Sequence, residues 1–151
     1  MTLPIPSVWI VDDDAAFRRI LELAVRRHGA TPRSFGSAEL ALEAFRSTKP
    51  DAVMTDIRMP GQSGLALLKE IRRIDPTLPV LVMTAHSDLD SAVDAFGSGA
   101  FEYLFKPFDI DAAMRLVLRA AHPARQQAAA HYAPGAIGTR PLPSARPPEK
   151  Y

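Results

Sequence analysis

DAVMTDIRMPG, residues 51–61, joins a short apolar run to a carboxylate and a turn. The run AVMT (52–55) is too short for a stable helix and does not alternate, which is the pattern of a strand buried on both faces. Met59-Pro60-Gly61 then turns the chain away. Asp56 stands between the two, where an unpaired charge is costly to bury. A carboxylate in that place needs a partner.

The same kind of run recurs at VWIV (8–11), VLVMT (80–84) and YLF (103–105). TPRSF (31–35) is a weaker strand, and Pro32 argues for an edge position. Helical patterns lie between. Phe17, Ile20, Leu21, Ala24 and Val25 recur at helical spacing, and Gly29 follows as a stop signal. A second helix from Ser37 to about Ser47 is expected to bury Leu40, Ala41, Ala44 and Phe45; a third, from about Ser63 to Ile74, turns Leu65, Leu68 and Ile71 inward. A fourth opens at Ser87, with Asp90 completing a capping box and Leu89, Val93 and Phe96 inward. A fifth begins at Asp109 with Ile110, Ala113, Val117 and Leu118 on one face. Five strands alternating with five helices predict an α/β fold, a doubly wound parallel sheet covered on both sides. In such sheets the site lies beyond the carboxyl ends of the strands.

Those ends carry Asp12, Asp13 and Asp14, then Asp56, Thr84 and Lys106. Clustered carboxylates repel unless a cation joins them. Oxygen ligands without His or Cys favour magnesium, with manganese as the alternative. Lys106 and Thr84 would then donate to a phosphate, and a carboxylate beside the metal can act as nucleophile in phosphoryl transfer. Singly, each residue has a plainer reading. Asp14 suits an N-cap, Asp12 and Asp13 a loop, Thr84 a strand end and Lys106 the surface. Met54, Met59 and Met83 read as packing, and His86 as loop. Their joint occurrence at four strand ends is what points to phosphoryl chemistry.

Length and composition fit this reading. The 151 residues suit one domain, with 47% apolar and 23% charged residues. The absence of cysteine excludes disulfides and thiolate metal sites. No apolar run approaches the ~18 residues of a membrane helix, and no basic stretch precedes the first apolar run, so a cytoplasmic protein is expected. Residues 1–121 hold fourteen Lys or Arg against sixteen Asp or Glu, and residues 122–151 hold four against one. Neither balance suggests a nucleic-acid surface. The segment 122–151 has six of the 14 prolines and few large apolar residues, and reads as a flexible linker or tail.

VDDD (11–14), DIRMPG (56–61), MTA (83–85) and KPF (106–108) together resemble the receiver domain of bacterial two-component response regulators, over about residues 7–121. LPVLVMTAHSDLDSAV and GAFEYLFKPFDID look most like the nitrogen regulatory protein NtrC group. The resemblance implies a flavodoxin-like sheet of order 2-1-3-4-5. It implies that Asp56 accepts a phosphoryl group from a sensor histidine kinase. Asp13 would hold magnesium directly and Asp12 through water, with Asp56 and the backbone carbonyl of Arg58 as further ligands. Thr84 and Lys106 would meet the phosphoryl group, Tyr103 would be the aromatic switch residue, and the bond to Pro107 would be cis. The face of the fourth helix, fifth strand and fifth helix would change on phosphorylation and could form a homodimer. NtrC-type regulators continue into ATPase and DNA-binding domains. This chain has no GxxxxGK[ST] loop and no helix-turn-helix pattern, so it is expected to be an excised receiver or a naturally short one.

Three other functions compete. A stand-alone receiver would act by protein contact alone. A phosphatase of the haloacid dehalogenase type also uses a strand-end aspartate and magnesium. Its DxDx motif continues into Thr or Val, whereas Asp12-Asp13-Asp14-Ala15-Ala16 ends in Ala. A flavodoxin-like cofactor binder needs a hydroxyl- or Gly-rich phosphate loop where this chain has three carboxylates. The expectation is therefore a signalling switch rather than an enzyme, with at most self-phosphorylation from small donors and autodephosphorylation.

Overall fold

The computed structural model describes residues 4–85, 90, 93–94 and 97–121. Five strands form one sheet: β1 (Ser7–Val11), β2 (Thr31–Phe35), β3 (Ala52–Asp56), β4 (Val80–Ala85) and β5 (Glu102–Lys106). Every pairing is parallel, in the order β2-β1-β3-β4-β5. Helices α1 (Ala15–Arg27), α2 (Ala38–Phe45), α3 (Gly64–Ile74) and a C-terminal helix (Ile110–Ala121) accompany the sheet. This is the flavodoxin-like, doubly wound order that the sequence predicts. The opening of the expected fourth helix at Ser87, its inward Leu89 and Phe96, and His86 lie outside the described residues. So does the tail 122–151.

Side chains of β1 alternate between two cores, as the period of a strand requires. Val8 and Ile10 join Leu21, Val25, Met114 and Val117 on one face. Trp9 and Val11 join Phe45, Leu67, Leu68 and Ile71 on the other. Each large apolar side chain so buried contributes about 1.5–3 kcal/mol. β2 is half exposed and lies at the sheet edge, where Pro32 forfeits no ladder bond.

The helices begin where their caps dictate. Asp14, Ser37 and Ser63 each accept a bond from the backbone N–H three residues on. Asp109 does the same for Ala112 at 3.1 Å, ahead of the C-terminal helix. Gly29, at φ 87°, supplies the left-handed residue just past α1. Three inner-face expectations fail, two of them in α1 and α2: Ile20 is 47% exposed and Leu40 55%. The buried stripe of α1 is Leu21, Ala24 and Val25, and that of α2 is Ala38, Ala41 and Phe45. Each stripe lies rotated from the expected one, so these two residues face water. Val93 is exposed as well. Among the described residues no helix is long and apolar enough to cross a membrane.

Candidate functional site

Parallel pairing brings the strand ends together. Val11 pairs with Thr55, Asp56 with Met83, and Ala85 with Lys106. The residues just past β1 and at the ends of β3 and β5 therefore share one edge.

Asp12 is fully buried yet fully satisfied. Its N–H donates to the Phe35 carbonyl at 3.1 Å. One carboxylate oxygen accepts from the Asp14 N–H at 2.9 Å, and the other from Lys106 Nζ at 2.9 Å. Its carbonyl accepts from the Arg18 guanidinium at 2.7 Å. Asp14 is turned to other work: its carboxylate accepts from Phe17 N–H at 3.1 Å and caps α1. Asp13, between them, is exposed.

Asp56 is less well provided for. The Lys106 ammonium faces it, with Nζ at 3.6 Å. Burial is the main cause that pushes its carboxyl up, to about 6. The Lys106 ammonium opposes this, the negative charges of Asp12 and Asp13 add to it, and the Ile57 N–H opposes it. One carboxylate oxygen from each of Asp12, Asp13 and Asp56 lies within 4.8 Å of the others. The donor set is oxygen only, and its surplus negative charge is what a divalent ion relieves.

The other expected residues are placed as follows. Lys106 is partly exposed, and its bond to Pro107 is cis. Thr84 is buried, one residue past the β3 partner Met83, and its hydroxyl donates to the Ala85 carbonyl at 3.2 Å. Among the described residues no hydrogen bond joins it to Asp56. Tyr103 is half-buried and packs with the core on the α2 and α3 side, its ring edge-on to Phe105 at 5.3 Å. Burial, and then the charge of Glu102, push its phenol up. Arg58 is exposed on the loop between β3 and α3.

That loop is fixed by residues the sequence did not flag. The Glu39 carboxylate on α2 accepts the Gln62 N–H at 2.9 Å, where Gly61 takes φ 77°. Gly64 N–H donates to the Ile57 carbonyl at 2.8 Å. A Cβ on Gly64 would fall 1.8 Å from the Asp56 carbonyl oxygen, so only glycine permits this approach. Ser63-Gly64 at a helix start was the available signal, since glycine is a poor first helical residue unless space demands it. Glu39 gave none, because its partner is 23 residues away.

The family described as response regulator receiver domain matches residues 8–118. The chain is 52% identical, over 80% of its length, to the DNA-binding transcriptional regulator NtrC of Proteus hauseri. It is 56% identical, over 75% of its length, to that of Escherichia coli K12. These alignments cover 26% and 24% of the two relatives, so the chain spans about a quarter of their length. The solution structure of the apo receiver domain of NtrC superposes with a TM-score of 0.71 at 53% identity, over 77% of this chain and 94% of that one.

Proposed function

The chain belongs to the response regulator receiver domain family, and we propose that it works as a phosphorylation-driven switch with Asp56 as the phosphoacceptor. The observation that carries this is the gathering of Asp12, Asp13, Asp56 and Lys106 at one sheet edge. A sensor histidine kinase is the proposed donor. An Asp56 carboxylate oxygen attacks phosphorus, the phosphorus–nitrogen bond of the phosphohistidine breaks, and the imidazole leaves. Asp13, Asp56 and the Arg58 carbonyl would hold magnesium (or manganese). Asp12, whose two oxygens already accept protein donors, would reach it through water. The metal supplies positive charge against the carboxylates and the incoming phosphoryl oxygens. Lys106 supplies a second positive charge, and Glu39 and Gly64 hold the loop that carries Arg58.

The product carries about −1.5 to −2 charges and new acceptor oxygens. Thr84 would exchange a neutral carbonyl for a charged acceptor, a stronger bond. Moving a two-state equilibrium from 1:99 to 99:1 needs about 5.5 kcal/mol of differential interaction. Two charge-assisted bonds, from Thr84 and Lys106, supply roughly 1.5–3 kcal/mol each. The proposed readout is the face formed by the segment after β4, by β5 with Tyr103, and by the C-terminal helix. That face would dock a partner or a second receiver. By likeness to the NtrC relatives, we place the domain in the cytoplasm, governing ATPase and DNA-binding domains in nitrogen regulation.

Acetyl phosphate with magnesium should add one phosphoryl group, detected by intact-mass spectrometry. Asp56→Asn should abolish it and chelation of magnesium should prevent it. Equal labelling of Asp56→Asn overturns the assignment. Continuous turnover of small phosphate esters that survives Asp56→Asn would point instead to a phosphatase.

A further inference from the structure

Lys106 has a third neighbour that the switch chemistry does not use. Its Nζ lies 4.5 Å from the centroid of the Phe17 ring. The same ammonium is 2.9 Å from Asp12 and 3.6 Å from Asp56. Two carboxylates and one aromatic face therefore surround it. We propose that Phe17 is the positioning residue for Lys106, its ring face holding the ammonium between Asp12 and Asp56 through a cation–π contact. The proposal rests on the phosphoacceptor reading for its consequence, though not for its geometry.

Lysine is a compact charge on a flexible four-carbon stem, and it loses that freedom when it must meet one acceptor. The Lys106 side chain is 27% exposed, so water competes for every N–H. A benzene face attracts the ammonium and displaces that water. The ring itself is fixed from two sides. Phe17 N–H is tied to the Asp14 cap, which sets where α1 starts. Phe108, two residues past Lys106, meets the ring edge-on with centroids 6.0 Å apart. The chain that delivers the ammonium thus also braces the ring that receives it. An aliphatic residue at position 17 would fill the same core space without the quadrupole. Periodicity alone accounts for an apolar residue there; the ammonium over its face is what calls for an aromatic one.

The test replaces Phe17 in the full chain with 4-fluoro-, 3,5-difluoro- and 3,4,5-trifluorophenylalanine, which drain the ring face at nearly constant volume. The readouts are the rate of phosphorylation by acetyl phosphate with magnesium, and the proton shifts of the Lys106 ε-methylene. The logarithm of the rate should fall steadily with fluorine number, by about five-fold in total. Phe17→Trp should keep the rate and Phe17→Leu should lower it by about five-fold. In a Lys106→Met background the fluorine dependence should vanish. The upfield ring-current shift of the ε-methylene should shrink along the series in parallel. A rate independent of fluorination, or one that rises with it, overturns the positioning role. If the parent protein is not phosphorylated, the phosphoacceptor reading fails. The methylene shifts then judge the contact alone: an upfield shift that shrinks along the series upholds it, and one that does not change refutes it.

Discussion

Asp56→Asn should stabilise the metal-free protein. The Asp56 carboxyl is pushed up to about 6 from its ordinary 3.8, because it is buried close to two other acids with the Lys106 ammonium at 3.6 Å. In the unfolded chain it titrates near its ordinary value. Between the two values the folded state holds a proton that the unfolded state has lost, so stability falls as pH rises through that window. Above about 6 the loss is complete and constant. A shift of about two units corresponds to roughly 3 kcal/mol. Asp56 is only 15% exposed, so solvent trims this modestly, and about 2–3 kcal/mol is expected. Asparagine keeps the shape and removes the charge. Urea denaturation in EDTA, followed by fluorescence of the buried Trp9, measures the difference. The mutant should gain about 2–3 kcal/mol at pH 7.5, and the gain should shrink toward zero as pH falls below 4. Magnesium should narrow the difference, since it would bind the folded wild type and by mass action raise its stability. No gain at pH 7.5, or an equal gain at pH 4, refutes the account of a strained carboxylate.

Three further outcomes follow from the same geometry. Gly64→Ala must move either the Asp56 backbone or α3, and should cost about 3 kcal/mol with phosphorylation at least about ten-fold slower; a variant of unchanged stability and rate would show that the contact relaxes freely. Asp13→Asn should weaken magnesium binding more than Asp14→Asn in a Trp9 fluorescence titration, because Asp14 is spent on the α1 cap; the reverse order would shift the acidic pair by one residue. With beryllium fluoride as phosphoryl mimic, amide NMR shifts remote from Asp56 should concentrate in residues 84–108 and shrink in Thr84→Ala, whereas shifts confined to α1 and α2 would show another route.

Much of this was written in the sequence because parallel topology is so restrictive. Once AVMT, VWIV, VLVMT and YLF read as doubly buried strands, their ends had to meet at one edge, and the charges there had to be close. Helix phase was less legible. Ile20 and Leu40 fit an apolar stripe as well as their neighbours do, and only the shape of the sheet beneath decides which rotation buries more. Gly64 and Glu39 escaped for another reason: their work is done across loops, on backbone atoms of Asp56 and Gln62, where the only local trace is a glycine at a helix start for Gly64 and there is none for Glu39. Phe17 was visible, but its periodicity already explained it, and that hid its contact with Lys106.

The site's asymmetry also supports the proposal that Asp56 is the carboxylate that reacts. Asp12 and Asp56 share one ammonium, but not equally: 2.9 Å against 3.6 Å. Asp12 has a donor on each oxygen and is buried, so whichever of its oxygens attacked phosphorus would have to give up its donor. Asp13 is exposed and lacks the burial that destabilises the Asp56 carboxylate. Asp56 is buried enough to be destabilised yet open enough to be reached, and its carboxylate lacks the close ion pair that holds Asp12. Phosphorylation would convert this under-paired group into the strongest anion of the cluster. Lys106 would then have more to gain from Asp56 than from Asp12. The transfer of that ammonium from its nearer to its farther carboxylate would be the local event from which the proposed switch begins.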